Sequence, residues 1–420
     1  MNLLFKNYLR DWLKFLAIKT IIKYQPGIVA ITGTVGKTST KEAVYAVLRQ
    51  WRRVRASRGN FNNEIGLPLT ILGDWTEIKG LFFWPRVLAI SLKNLVFKVG
   101  YPEILVLEYG ADRPGDIRYL LDIARPQIGL VTALGDIPVH VEFYTGPEAV
   151  AREKSRVIES LPVAGFAILN FDDEAVLNMQ EKTRAHIITF GFGKNAEVRI
   201  SNFEVRNEEL PAGGSRPVGV SFKLEHNGSF VPIRLNGAFG KAQAYAAAAA
   251  AAAGLAFGLN LVRVAEALQY YQPPPHRMTL LPGVKGTFII DDTYNASPLS
   301  TQAALETVSD LPARRKIAVL GDMLELGQYS AGAHQAIGQL SFGVFDILVT
   351  VGLRAKFIAD AAIKSGFERK NVLSFDTADQ ARLEVQALLE RGDLVLIKGS
   401  RAMELEKIVR EIQLVISNSR

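Results

Sequence analysis

Between Gly27 and Thr32 the chain carries a short, largely β-branched apolar run that opens into GTVGKTST and then into a helix-like stretch from Lys37 to Gln50. That order predicts strand, loop, helix. Further strand-like runs at Ile104–Tyr109, Gln127–Thr132 and Phe166–Asn170 are separated by helical patterns at Asp116–Ala124 and Pro147–Leu161. The alternation predicts a mainly parallel sheet with helices on both faces. Between Glu197 and Leu235 polar residues fall on alternate positions, which predicts an antiparallel excursion or edge hairpins. Ala246–Ala253 is a run of eight alanines inside a helical pattern, suited to close helix-to-sheet packing with little side-chain entropy lost.

Pro273, Pro274 and Pro275 stop the preceding helix and place a domain boundary near Tyr271–Arg277. Beyond it, β-like runs at Phe288–Asp291, Ile317–Leu320, Ile347–Thr350, Val372–Phe375 and Leu394–Ile397 alternate with helix patterns. This predicts a second α/β domain of Rossmann-like rhythm, without the glycine fingerprint of a dinucleotide site after its first strand. The expected organisation is an amphipathic segment 1–26, a central domain 27–272 with an amphipathic insertion at 78–100, and a C-terminal domain 273–420.

Composition narrows the chemistry. With 48% hydrophobic and 22% charged residues among 420, the chain reads as globular rather than disordered. It has no Cys, which excludes a disulfide framework, a thiolate metal site and a cysteine nucleophile, and is compatible with a reducing cytosol. The net charge of +7 suits phosphorylated substrates, nucleic acid or an anionic membrane surface. Nucleic acid is the poorest fit, because aromatic–basic interleaving and a recognition module are both missing. The first 24 residues and the stretch 81–99 are apolar but broken by Lys, Arg and Asp or by Pro85, Arg86, Lys93 and Asn94, too charged to span a membrane. Two readings stand for them: helices packed on the core or between domains, or a patch lying on the inner face of the membrane.

Candidate chemistry gathers at strand ends. Gly33-Thr34-Val35-Gly36-Lys37-Thr38-Ser39 departs from GxxxxGK[ST] only at its first glycine, whose place falls on Ile31. Small residues there let backbone N–H groups face phosphate oxygens, Lys37 can reach the outer phosphates and Thr38 can ligate magnesium. These residues predict a P-loop-type nucleotide-phosphate site. Glu108 closes a strand beside that loop and suits a magnesium bridging phosphates. His140 follows a short loop, and Lys154 lies in a helical segment where composition alone makes it a surface lysine. In the second domain Asp292 and Asn295 of DDTYNASP, Asp322 of GDMLELG, and Lys398, Ser400 and Arg401 of KGSR end three strands on one sheet edge, which implies a cleft.

Taken in order, TGTVGKTSTK, FNNEIGLPLT, LEYGADRPGDI, ILNFDDE, DDTYNASPLS, VLGDMLELG and KGSRAM resemble the Mur ligase family over nearly all of Gly27–Val409. The resemblance implies ATP-dependent amide formation through an acyl phosphate in peptidoglycan synthesis in the cytoplasm, joining an amino acid or dipeptide, D-alanyl-D-alanine above all, to a muramoyl-peptide carboxylate. It implies Lys37 and Thr38 on phosphates and Mg2+, Glu108 and His140 on metal, and Lys154 as an N6-carboxylysine holding a second metal. It also implies Arg277 on the nucleotide, Asp292 on the ribose with Asn295 in the same segment, and Asn62 and Asn63 in a substrate-side loop. Family members carry a His-Asn pair where this chain has Phe239 and Gly240, so the expectation is that adenine is stacked by Phe239 or held less selectively. Only 26 residues precede the first strand, where the family places a domain that grips the UDP-sugar. The expectation is a different substrate, or uridine recognition by a separate protein or surface. Ligation of another amino acid or a polyglutamyl-type acid, or a regulatory nucleotide-binding protein without catalysis, stand as alternatives.

Overall fold

The computed structural model describes residues 3–59, 61–80, 82–209 and 215–414. Leu81 at the start of the apolar stretch 81–99, part of the excursion Glu197–Leu235 and the ends of the 1–26 and 273–420 segments lie outside the described residues.

Ile, Val and Leu runs buried on both faces build two sheets, as parallel strands covered by helices require. The first comprises β1 (Gly27–Thr32), β2 (Val54–Ala56), β3 (Ile104–Glu108), β4 (Ile128–Val131), β5 (Phe166–Asn170), β6 (His186–Gly191), β7 (Val198–Glu209), β8 (Ser215–His226) and β9 (Ser229–Asn236). They form nine strands in the order β2-β3-β1-β4-β5-β6-β7-β8-β9, parallel as far as β7 and antiparallel through β8 and β9. The excursion expected from the period-two pattern is this extension of the sheet.

The second sheet comprises β10 (Thr279–Pro282), β11 (Phe288–Asp292), β12 (Arg315–Gly321), β13 (Ile347–Val351), β14 (Val372–Phe375) and β15 (Asp393–Lys398). Its order is β10-β11-β15-β12-β13-β14, with only β10 antiparallel. Pro282 is tolerated in β10 because that strand is an edge. The α/β class with a Rossmann-like second sheet is therefore observed.

The helices are α1 (Leu3–Tyr24), α2 (Lys37–Leu48), α3 (Gly66–Leu72), α4 (Phe83–Val96), α5 (Asp116–Ile123), α6 (Pro147–Glu159), α7 (Glu174–Leu177), α8 (Lys241–Ala256), α9 (Leu261–Leu268), α10 (Pro298–Ser309), α11 (Ser330–Ser341), α12 (Lys356–Lys364), α13 (Ala378–Leu388) and α14 (Glu406–Ile412). All of Ala246–Ala253 is buried, and α8 lies against α2 and the β5–β7 part of the sheet. Methyl side chains allow that close approach on every side of the helix. The inner face of α1 buries Leu9, Leu13, Leu16 and Ala17 against α3, α4 and α5. Among the described residues no helix is long and apolar enough to cross a membrane.

Both sheets present the carboxyl ends of parallel strands to one cavity, the edge where α/β sheets bind ligands. Replacing Ala250 with Leu should test the packing that holds the first sheet's cover in place. The added side chain has no free volume, so the urea midpoint should fall by the equivalent of about 1–3 kcal/mol. An unchanged midpoint would contradict the tight α8 contact.

Candidate active site

The loop after β1 owes its path to two glycines. Gly33 has φ +139°, and a Cβ there would stand 2.1 Å from the Thr132 hydroxyl, so no side chain fits. Gly36, at φ +88°, opens α2. Thr132 Oγ1 donates to the Val35 carbonyl at 2.6 Å, and Thr34 N–H donates to Ala133 O at 2.6 Å, which fastens the loop to the end of β4. Thr34 Oγ1 is buried and has no hydrogen-bond partner among the described residues, a polar atom suited to a ligand oxygen. Ser39 is buried in the first turn of α2.

Lys37 Nζ donates to the carbonyls of Gly33 (2.9 Å) and Thr34 (3.3 Å). Its pKa is held below the ordinary lysine value by burial, opposed by the Glu108 carboxylate and reinforced by Arg277. Beside it the Thr38 hydroxyl donates to Glu108 Oε2 at 3.0 Å and accepts from Arg277 Nη2 at 3.0 Å. Glu108, buried at the end of β3, takes a second bond from Asn62 Nδ2 at 3.1 Å. The Thr38 hydroxyl and Glu108 carboxylate are hard oxygen donors beside a phosphate loop, which fits magnesium, an ion that takes one or two protein carboxylates together with phosphate oxygens.

From the second sheet, Asp292 at the end of β11 pairs with Lys398 Nζ at 2.5 Å and accepts Met278 N–H at 3.2 Å. Burial pushes the Asp292 pKa up, while Lys398 and Arg277 hold it back. Lys398 also bonds the Asn295 carbonyl at 3.0 Å. The Arg277 guanidinium lies 3.9 Å from the centre of the Tyr294 ring, with Arg401 on the same ring at 5.7 Å. These groups and the loop wall a cavity of about 640 Å³ between the sheets. A second groove of about 580 Å³ shares Asn62, Asn63 and Asp112 with it and adds Arg10 and Arg113.

Other expected residues stand differently. Asn63 Oδ1 accepts the N–H groups of Ile65 and Gly66, so its carbonyl is committed to starting α3. His140, at φ +70°, has Nδ1 2.6 Å from Glu325 Oε2 and Nε2 3.4 Å from Asp112 Oδ1, so both nitrogens face carboxylates, one of them on the far side of the cavity. The carboxyl of Asp322 is spent on Ala355 N–H at 2.7 Å, at the start of α12, and lies off the cavity wall. Ser400 Oγ accepts Leu324 N–H at 2.9 Å and so sets the acidic loop. Phe239 is fully buried in the second sheet's core with Met278, Ile290 and Ala304. Its ring packs between the two units and forms part of the cavity wall.

Several supporting residues carry no signal in the sequence. Tyr294 and Gln243 line the cavity, and Gln243 accepts from Tyr271 OH at 2.6 Å. Buried His334 accepts Met323 N–H on Nε2 at 2.9 Å and lies 2.7 Å from Ser330 O through Nδ1, which fixes its tautomer and the loop before Glu325. No spacing marks such a residue.

A family model described as the Mur ligase middle domain matches residues 31–78 and 88–254, and one described as the Mur ligase, glutamate ligase domain matches 276–401. The chain belongs to the Mur ligase family. Among its relatives, the UDP-N-acetylmuramoyl-tripeptide–D-alanyl-D-alanine ligase of Bacillus subtilis is 32% identical over 389 residues, covering 92% of this chain and 75% of that protein. The crystal structure of MurF from Acinetobacter baumannii superposes with TM-score 0.78 at 25% identity, covering 96% of this chain and 80% of that one. MurF ligase from Thermotoga maritima in complex with ADP gives 0.75 at 26% identity, covering 96% and 83%. Mur ligases are ATP-dependent ligases, and a nucleotide-phosphate loop facing a second α/β unit agrees with that chemistry.

Lys154 on α6 is buried, and its pKa is pushed down to about 7, first by burial and then by the Lys37 charge. Unfolded, the same amine titrates near its ordinary value of 10.5. Between those values unfolding takes up a proton, so stability rises with pH through the window, by up to roughly 1.4 kcal/mol per pH unit for one group. In CO2-depleted buffer Lys154→Met should flatten the rise between about pH 7 and 10.5, leaving the share that Lys37 contributes in the same direction. Parallel slopes for the two proteins, measured by urea unfolding, would contradict a buried, neutral Lys154.

Proposed function

We propose that this chain is an ATP-dependent ligase that joins D-alanyl-D-alanine to the terminal carboxylate of a muramoyl tripeptide. The observation that carries this reading is the junction at Thr38, where the phosphate loop, the Glu108 carboxylate and Arg277 of the second unit meet on one hydroxyl. The choice of acceptor and dipeptide follows the relatives that match most of the chain.

The side chains divide the work along the cavity. Backbone N–H groups at the amino end of α2, from Gly36 onward, receive phosphate oxygens, with Lys37 and Arg277 neutralising charge that moves onto the bridging oxygen. Asp292, held by Lys398, offers its carboxylate to ribose hydroxyls. The acceptor enters by the groove that shares Asn62 with the cavity, and its carboxylate oxygen attacks the γ-phosphorus as the bond to ADP breaks. The dipeptide's amine, with a reference pKa near 8, then attacks the acyl carbon in its neutral form. The carbon–oxygen bond to phosphate breaks, and the amide nitrogen releases its extra proton. Walls from both units limit water around the acyl phosphate.

Magnesium, when bound, neutralises the phosphates from Thr38 and Glu108. His140 would offer Nε2 to the metal while Nδ1 stays on Glu325, a carboxylate contact that orients a ligating imidazole. Lys154 is suited to carbamylation, because its neutral amine is the form that adds to CO2, and the product replaces a cation buried beside Lys37 with an anion.

Ligation assayed by mass spectrometry tests the proposal. UDP-linked muramoyl tripeptide with D-alanyl-D-alanine should give the amide product with ADP release. Lys37→Ala should lower turnover by roughly 10²–10³-fold while the protein still unfolds cooperatively in urea. A folded Lys37→Ala protein with near-normal turnover, or a wild-type chain that extends only glutamyl acceptors, would contradict it.

A further inference from the structure

We propose that the outward faces of α1 and α4 dock this chain on an anionic lipid bilayer. The starting point is a helix with an apolar stripe on its outward side as well as on its packed side. α4 buries only Phe83, Val87 and Ser91, whereas Phe82, Pro85, Ala89, Leu92 and Val96 recur every three or four residues on its exposed side. Phe82 is 78% exposed and Val96 71%. Single exposed apolar residues are ordinary, but a continuous stripe marks an interaction surface.

α1 lies alongside and runs in the same direction. Its Leu9 and Leu13 share a cluster with Phe83 and Val87, and Lys23 at its other end bonds the carbonyls of Asn94 (3.0 Å) and Phe97 (2.9 Å). Tyr8, Phe15 and Ile22, seven residues apart, are exposed on its outer face. The pair thus presents two neighbouring helices with aromatic and aliphatic side chains in water.

Charge identifies the occupant. Residues 3–24 hold five Lys or Arg and one Asp, and residues 79–98 hold four and no acid. Those two segments together carry eight net positive charges, against +7 for the whole chain, so the remainder is close to neutral. Lys14 is engaged with Asp122, Lys23 with the α4 carbonyls, Lys79 with Glu77, and Arg10 with Asp11, the one acid on the outer face of α1. Lys19, Lys93 and Lys98 have no ion pair among the described residues. A second copy meeting this surface through the same face would bring two cationic patches together, which disfavours a symmetric dimer. Apolar side chains entering the headgroup boundary while lysines meet anionic headgroups satisfy both halves of the surface. This goes beyond the ligase reading and is separable from it, since bilayer binding needs neither nucleotide nor acceptor.

The test is flotation of the full chain with vesicles of phosphatidylcholine alone and of phosphatidylcholine mixed with phosphatidylglycerol, at low and high salt. The chain should float with the mixed vesicles at low salt and much less with neutral ones. Lys93→Glu with Lys98→Glu should weaken binding by roughly fivefold or more per cation removed. Leu92→Glu with Val96→Glu should abolish flotation. Both variants should keep the wild-type urea midpoint and turn over soluble acceptor normally, so loss of docking is distinguishable from loss of the ligase. Absence of flotation with mixed vesicles, or equal flotation of wild type and folded variants, would overturn the proposal. So would concentration-dependent dimerisation, removed by the same substitutions, in a chain that ignores vesicles.

Discussion

The Thr38 hydroxyl is the point on which the site depends. It has one proton to give and gives it to Glu108, which leaves its lone pairs for the Arg277 guanidinium. Three distant parts of the sequence meet there: the phosphate loop after β1, the end of β3 and the link before β10. A charge-assisted bond on either side of a neutral hydroxyl holds a carboxylate and a guanidinium close without pairing them directly. Both charged groups then remain turned toward the cavity, where phosphate and metal chemistry needs them.

A related economy of charge governs the surrounding side chains. Lys37 is half-buried and hydrogen-bonds only to carbonyls, and Lys154 is buried under its influence. Two desolvated amines in one neighbourhood are costly unless anions arrive or one amine changes its chemistry. Phosphates meet the first condition at Lys37, and a carbamate meets the second at Lys154. Across the cavity, Lys398 and Asp292 neutralise each other, so the positive charge on that side comes from Arg277 and Arg401.

Much of this was legible in the sequence because parallel strands are written as uninterrupted apolar runs, and their carboxyl ends are where polar residues cluster. Phe166–Asn170 and Val372–Phe375 were bounded to the residue by that signal. β6 and the edge strand β10 were passed over, the latter because a four-residue run ending in Pro hardly differs from a turn. Within the site, periodicity cannot apportion adjacent residues of one type. Asn62 turns its amide to Glu108 while Asn63 caps α3, and only the backbone path separates them. Burial was equally hidden: Phe239 lines the cavity while packing in the second sheet's core, and the Asp322 carboxyl holds the start of α12. For α4 the sequence displayed an amphipathic helix without saying which side faced the protein.

The central claim is that a carboxylate is phosphorylated in the cavity between the two sheets and then captured by an amine. Transfer of isotope tests it most directly, because the attacking carboxylate oxygen leaves with the phosphate. With the acceptor's terminal carboxylate labelled in both oxygens by 18O, the released phosphate should carry one labelled oxygen for each amide formed, and the amide carbonyl should retain the other. Amide formation with unlabelled phosphate would contradict an acyl phosphate and the account built on it.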